Sequence, residues 1–234
     1  MWIRHKHPKT LRALSLRTIS AQIHMVAALA TLPLGWLLIV EAARSGMGAA
    51  ALITLYCATG TLVFASSAIY HFLSDGFHIH DSIEWWLNRI DHWSIYCVIA
   101  ASYTAFVPKV LPPQRATYLL IVVWTLAIAG SLYTYFKHSL HRILAGRAIS
   151  TLIFVGFGAA GLYEAPALLK TLSNQQLALL FGGGFAYIGG AVVYYFEKYR
   201  KQPRPFDFHE VWHLAVVAGH FCHYFLFRSL YVSA

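Results

Sequence analysis

The stretch "AAALITLYCATGTLVFASSAIYHF", residues 49–72, is apolar along most of its length and contains no Asp, Glu, Lys or Arg. About 20 apolar residues are enough for a helix to cross the hydrocarbon core of a bilayer. The stretch exceeds that length, so it predicts a membrane-spanning helix. Near its end it carries Ser67 and His71, which are four residues apart and therefore share one face of that helix.

The whole chain has the composition of a membrane protein. Of its 234 residues, 58% are hydrophobic and 12% are charged, whereas soluble domains have about 25% charged residues. The formal net charge is +9, but the basic residues stand at the ends of the apolar runs. That placement favours membrane flanks over a nucleic-acid surface. The three cysteines lie within apolar runs and form no C-x-x-C pair, so no disulfide framework is predicted.

Six further apolar runs accompany residues 49–72. The seven candidate spans are 21–41, 49–72, 90–107, 116–136, 148–163, 177–196 and 211–231. The fifth is the shortest and contains several glycines. The polar segments between the runs contain chain breakers, and none is long enough for a soluble domain. We therefore predict a single all-α domain over residues 1–234, a bundle of seven transmembrane helices that follows a basic tail, residues 1–20.

The lysines and arginines predict the orientation of the bundle. Thirteen of the 18 lie in the N-terminal tail and around the ends of spans two, four and six, and the other five lie on the opposite side. Basic residues accumulate on the cytoplasmic side of membrane proteins. We therefore expect the N-terminus in the cytoplasm and the C-terminus outside, as an odd number of spans requires.

This topology brings polar residues from three spans to one membrane depth. His71 ends the second span, Asp91 begins the third, and His209 and His213 begin the seventh. Ionisable residues in membrane spans are costly and usually face the bundle interior with a partner. Three histidines fit the open zinc site of an enzyme, in which three protein ligands leave one position free. Asp91 and Ser67 would then lie beside the metal, and the alternative is that these groups only tie helices together.

The histidines deeper in the spans, His24, His220 and His223, are not predicted to bind this metal ion. His220 shares a face with His213, but it lies about 10 Å further along the helix, at 1.5 Å per residue. That distance is too long for both to bind one ion. Hydrogen bonding between helices is the expected role of His220 and His223, and the sequence assigns no role to His24.

The segment His209-Glu210-x-x-His213 also has the H-E-x-x-H pattern of zinc metalloproteases. In that interpretation, Glu210 would be the general base. A third ligand would normally come from a later aspartate, and the chain has no aspartate after Asp207. With His71 available as the third ligand, the protease interpretation is disfavoured.

Three segments together resemble the signature segments of the hemolysin III family, the bacterial branch of the progestin and adipoQ receptor superfamily. They are "SSAIYH" at 66–71, "RIDHWSIYCVIAASYT" at 89–104 and "RPFDFHEVWH" at 204–213. The likeness covers nearly the whole chain in the number, order and spacing of spans. It implies a multi-pass protein of the bacterial cytoplasmic membrane with a Zn²⁺ site near the cytoplasmic face. The matching ligands are His71, His209 and His213, with Asp91 and Ser67 close to the metal.

The chain departs from the family pattern in two places. Ala101 and Ala105 stand where the family usually has Gly and Pro, which removes no ligand. The first span begins "RTISAQIH" at 17–24, so His24 is kept while the usual glutamate is absent. No role of that carboxylate carries over to this chain.

The resemblance implies two kinds of function. Superfamily members include hormone receptors, and related superfamilies include membrane hydrolases such as ceramidases. We expect either a zinc-dependent hydrolase of a lipid amide or ester, with Asp91 as general base and Ser67 assisting the oxyanion, or a receptor-like or membrane-homeostasis protein with structural zinc. Membrane lipids are the expected partners, and nucleic acid is not. A pore is disfavoured, because no span has a polar stripe that could line a wide channel.

Overall fold

The computed structural model describes residues 19–77, 79–139, 147–196 and 207–232. These residues form helices and short turns. The helices are α1 Ile19–Ala43, α2 Met47–Gly76, α3 Asp81–Val110, α4 Pro113–Phe136, α5 Arg147–Gly158, α6 Ala165–Thr171, α7 Asn174–Phe196 and α8 Phe208–Val232, with short 3₁₀ turns at Lys137–Ser139 and Leu162–Glu164. Most of the predicted basic tail, residues 1–18, and the basic residues at 140–146 and 197–206 lie outside the described residues.

Several of these helices are suited to a membrane. Five segments of the described chain are long and apolar enough to cross one: Ile19–Ala43, Met47–Gly76, Pro113–Phe136, Ala148–Thr171 and Asn174–Phe196. Their outward faces carry large apolar side chains, of which Leu29, Trp36 and Phe185 are 60%, 70% and 71% exposed. The all-helical architecture confirms the predicted fold class, a helical membrane bundle.

The remaining two long helices carry more polar residues. Helix α3 has 30 residues and contains Asp91 and His92. Helix α8 has 25 residues and contains four histidines. Helices α3 and α8, which carry Asp91, His209 and His213, are therefore less apolar than the five candidate spans.

The fifth predicted span, 148–163, differs from the expected single helix. Helix α5 ends at Gly158, and helix α6 begins only at Ala165. The Tyr103 hydroxyl of α3 spans the break: it donates to the Gly158 carbonyl at 2.7 Å and accepts from the Gly161 amide at 3.0 Å. A Cβ atom on Gly161 would lie 2.8 Å from the Tyr103 ring. The glycine allows this close approach, and Tyr103 satisfies backbone groups that a membrane would leave without water.

Helix α8 lies in the interior of the bundle, where it packs against α1, α2, α3 and α7. Two glycines let its histidines approach the neighbouring helices. A Cβ atom on Gly60 of α2 would lie 2.4 Å from the His220 ring, and one on Gly183 of α7 would lie 2.6 Å from the His223 ring. Small residues at crossings allow this close packing in membrane bundles.

The end of the bundle that is predicted to face outward is closed by polar contacts. Arg228 of α8 donates to both carboxylate oxygens of Glu41 of α1, at 2.8 and 2.9 Å. The Tyr231 hydroxyl donates to the Ala105 carbonyl of α3 at 2.6 Å. These contacts hold the final turns of α8 against two other helices. The polar groups at the opposite end of α8 form a separate cluster.

Candidate metal centre

Three histidines from two helices meet at the predicted cytoplasmic end of the bundle. His71 lies in the last turns of α2, and His209 and His213 occupy the first turns of α8. One ring nitrogen from each of the three lies within 4.8 Å of the others. The ring centroids are 4.6 to 4.9 Å apart. Among the described residues, these three form the group of histidine, cysteine and carboxylate side chains with the spacing needed to hold a metal ion.

His71 is oriented by a carboxylate on its own helix. Its Nδ1 atom lies 3.2 Å from Oδ2 of Asp75, one turn further along α2. Its other nitrogen, Nε2, lies 3.2 Å from Nε2 of His209. A carboxylate on the far nitrogen of an imidazole is the usual support of a metal-binding histidine, since it fixes the tautomer and raises the basicity of the ligand.

His213 has a comparable arrangement with a different partner. Its Nδ1 atom lies 2.8 Å from Nε2 of His24 on α1, and the two rings are perpendicular with centroids 4.0 Å apart. The Nε2 atom of His213 is buried and has no hydrogen-bond partner in the described part of the chain. A buried nitrogen without a partner is costly. Binding a metal ion would remove that cost.

The spacing of the nitrogens fits zinc. Zinc binds imidazole nitrogen at about 2.0–2.1 Å, so two histidine nitrogens on a tetrahedral ion lie roughly 3.3 Å apart. The separation of 3.2 Å between Nε2 of His71 and Nε2 of His209 agrees with that value, and one ring nitrogen from each of the three histidines lies within 4.8 Å of the others. Neutral imidazole is the form that binds metal. The residues present therefore suit the ion that the sequence predicts.

Asp91 and Ser67 lie near the same end of the bundle, with contacts of their own. The Asp91 carboxylate lies 3.9 Å from Nδ1 of His92, and its backbone carbonyl accepts from Ser94 at 2.6 Å. Ser94 in turn accepts from Ser66 of α2 at 3.1 Å, which joins the helices that carry Ser67 and Asp91. Both Ser67 and Asp91 are buried. Among the described residues, Asp91 does not belong to the group of side chains whose spacing could hold a metal ion.

Glu210, between His209 and His213, has a different task. One oxygen of its carboxylate accepts from the Asp207 amide at 2.8 Å, and the other accepts from the Ser20 hydroxyl at 2.7 Å. Asp207 accepts from the Phe208 amide at 2.6 Å. The contact from Glu210 back to the Asp207 amide is the glutamate half of a capping box at the start of a helix. Glu210 thus caps the start of α8 and bonds that helix to α1. Because both of its oxygens are used in these bonds, Glu210 is poorly placed to act as the general base of a protease.

The deeper histidines form a second polar region in the middle of α8. The ring of His220 stacks on Tyr56 of α2, with centroids 5.0 Å apart, and the Tyr56 hydroxyl donates to the His220 carbonyl at 3.0 Å. His223 lies over Gly183 of α7. These contacts join helices, which is the role that the sequence suggests for both histidines.

Sequence reasoning missed three residues that support the site: Asp75, His24 as a partner of His213, and Ser20. The role of Asp75 could have been predicted from the sequence, because Asp75 follows His71 by four residues. The roles of His24 and Ser20 could not, because they depend on how α1 packs against α8. No spacing rule relates residues that are 189 or 190 positions apart.

Comparison with known proteins gives consistent results. The family model described as "Haemolysin-III related" matches residues 14–224. Hemolysin-3 of Bacillus cereus is 29% identical over 201 residues, which cover 86% of this chain and 84% of that protein. The Hemolysin-3 homolog of Bacillus subtilis (strain 168) is also 29% identical over 201 residues, with 86% and 87% covered. The human monocyte to macrophage differentiation factor is 26% identical over 174 residues, with 73% and 67% covered.

Proposed function

This chain belongs to the haemolysin-III related family, and we propose that it is a zinc-dependent hydrolase of a lipid amide or ester in the bacterial cytoplasmic membrane. One observation carries the proposal. Three imidazoles converge within 4.8 Å at one end of a membrane bundle, and the Nε2 atom of His213 is buried there without a partner. A metal-dependent lipid hydrolase needs such a preformed set of ligands, and it needs them near the membrane surface, where the amide or ester bond of a lipid lies.

The ligands and their supports have separate tasks. His71, His209 and His213 would hold the ion, while Asp75 and His24 would orient two of those rings through their Nδ1 atoms. Three protein ligands leave the fourth tetrahedral position open. A bound zinc ion supplies Lewis acidity, which polarises a carbonyl group and lowers the pKa of water to about 7.

The remaining roles fall to Asp91 and Ser67. Asp91 would accept the proton of the attacking water, as a general base does. Ser67 lies one turn before His71 on α2 and would donate a hydrogen bond to the carbonyl oxygen as negative charge develops there. The acyl chain would reach the site laterally, since the outward faces of the helices are apolar.

A second function has its own supporting observation. Asp91 is buried on α3, and the Ser66–Ser94 hydrogen bond joins that helix to α2, which carries His71. Structural zinc has four protein ligands, whereas catalytic zinc keeps one position open. With Asp91 as a fourth ligand, the ion would join α2, α3 and α8, as expected for a receptor-like or homeostatic protein without turnover.

The test of hydrolysis uses the full chain purified in detergent and loaded with zinc. Ceramides, phospholipids and acyl esters are offered separately, and free fatty acid is measured by mass spectrometry. Release should require zinc and should be lost in Asp91→Asn. His223→Ala provides a control, because it removes a histidine of the same helix that lies outside the candidate site. Equal release with and without zinc, or none from any substrate, would reject the hydrolase and leave the structural-zinc function.

A further inference from the structure

Arg89 is a buried cation that has no ionic partner in the part of the chain that the structure describes. Its side chain is 1% exposed, and its Cζ atom lies 3.3 Å from the ring centroid of Trp85. The Nη1 atom donates to the Trp85 carbonyl at 3.1 Å. The Nε and Nη2 atoms are buried and have no hydrogen-bond partner among the described residues. The edge of the guanidinium group that suits two parallel hydrogen bonds is therefore unused.

Two other arginines in the described residues are paired with carboxylates. Arg115 binds both oxygens of the Glu164 carboxylate, and Arg228 binds both oxygens of Glu41. No Asp or Glu occurs in the sequence between Asp91 and Glu164, so the helices beside Arg89 contribute few carboxylates. An unpaired buried charge costs several kcal/mol. An anion from outside the chain would remove this cost.

A second cation, Lys137, belongs to the same region. It directly follows α4 and lies two residues after Tyr135, whose ring packs on the Trp85 ring that covers Arg89. Burial together with repulsion by Arg89 lowers the pKa of its ammonium group. Attraction by Asp91 raises the pKa of the Lys137 ammonium group. The Asp91 carboxylate is shared, however, because it also lies 3.9 Å from Nδ1 of His92.

An apolar groove begins beside these cations. The Trp85 ring that covers Arg89 packs edge-to-face on Tyr135, with centroids 5.6 Å apart, and Tyr135 stacks on Trp93 at 6.4 Å. Tyr135 and Trp93 also line a groove of about 460 Å³ between α3 and α4. The other lining residues include Trp124, Ile128, Leu132 and Phe136. Aromatic rings at this level are typical of the membrane–water interface.

We propose that Arg89 and Lys137 bind the phosphodiester headgroup of an anionic phospholipid, with one of its acyl chains in the groove between α3 and α4. The unused edge of the guanidinium matches two phosphate oxygens. A zwitterionic headgroup fits less well, because its own ammonium group would approach Lys137. Basic pockets between helices on the cytoplasmic side commonly bind anionic lipids. Trp85 controls access, since its ring must move aside for phosphate to reach Nε and Nη2.

Retained lipid tests the proposal. The full chain in detergent is incubated with equal amounts of phosphatidylglycerol and phosphatidylcholine, and bound lipid is identified by native mass spectrometry. Wild type should retain one phosphatidylglycerol in preference to phosphatidylcholine. Arg89→Gln should lower that retention about tenfold or more, since a hydrogen-bonded charge contributes about 1.5–3 kcal/mol. Lys109→Gln is the matched control, because Lys109 lies on the same helix over the Tyr231 ring but is exposed at the other end.

Three results would overturn the proposal: equal retention of both lipids by wild type, unchanged retention in Arg89→Gln, or displacement of the lipid by inorganic phosphate at equal concentration. The last result would indicate a site for a free anion. If Arg89→Gln does not fold, wild type still provides a test. Phosphatidylglycerol with brominated chains should quench tryptophan fluorescence more than brominated phosphatidylcholine does, and Trp85→Phe should reduce the excess. Equal quenching by the two lipids contradicts the proposal.

Discussion

The Nδ1 atom of His71 lies 3.2 Å from the Asp75 carboxylate, one turn away on the same helix. This contact turns Nε2 of His71 toward His209, where a metal ion would bind. Asp75→Asn should therefore weaken zinc binding by about 10- to 100-fold, the usual effect of removing such a support. Competition with a chelator measures the affinity. Asp81→Asn removes an exposed carboxylate at the start of α3 and should leave the affinity unchanged; an equal loss in both variants would indicate a general charge effect.

The three proposed ligands should each be needed for zinc. His71→Ala, His209→Ala and His213→Ala should each lose most of the one zinc ion expected per chain, as measured by element analysis of purified protein. Glu210→Ala should keep the ion, because the Glu210 carboxylate is occupied by Ser20 and the Asp207 amide. It should instead lower stability by about 1 kcal/mol, as the loss of a helix cap does. Full zinc content in all three histidine variants would refute the ligand set.

His24 should affect zinc by positioning His213. His24→Ala should lower zinc affinity, and His24→Gln should restore part of it, because an amide can still hydrogen bond to Nδ1 of His213. The absorption spectrum of the cobalt-substituted protein separates positioning from ligation. Loss of a ligand changes the intensity and wavelength of the visible bands, whereas loss of a support leaves them nearly in place. A changed spectrum in both variants would show that His24 binds the ion itself and is more than a positioning residue.

Asp91→Asn should abolish hydrolysis and keep most of the zinc. Asparagine retains the size and one acceptor oxygen but cannot accept a proton, and general-base assistance contributes about 10² to 10⁴ in rate. Ser67→Ala should cost about 10² to 10³, the usual contribution of one oxyanion donor. Zinc content and rate are measured on the same preparations. If Asp91→Asn releases the metal, Asp91 binds or supports the ion and is not simply the base.

The two chain ends should lie on opposite sides of the membrane. The uneven distribution of lysine and arginine predicts the N-terminus in the cytoplasm, and seven spans then place the C-terminus outside. Reporter fusions at each end, one active only in the cytoplasm and one active only outside, measure this directly. Two ends on the same side would mean that the broken fifth segment does not cross.

Much of the site was predictable from simple geometry, and the reasons can be given residue by residue. His209 and His213 are one turn apart, so any helix brings them together. His71 could be added because alternating spans return every second helix end to the same membrane face. The partner of His213 could not be predicted, since His24 reaches it only through the packing of α1 against α8. The orientation of Glu210 depends on the same packing, because Ser20 binds it from α1.

The break beneath Tyr103 has a consequence for the biogenesis of the protein. Helices α5 and α6 have 12 and 7 residues, which correspond to roughly 18 and 10 Å at 1.5 Å per residue, whereas the hydrocarbon core is about 30 Å thick. Neither piece can cross alone, and the backbone between them depends on the hydroxyl of a tyrosine in α3. Only the two pieces together, Ala148–Thr171, are long and apolar enough to cross, and the backbone at their junction needs a partner inside the bilayer. Because α3 is synthesised before this segment, its tyrosine is available when the fifth segment enters the membrane.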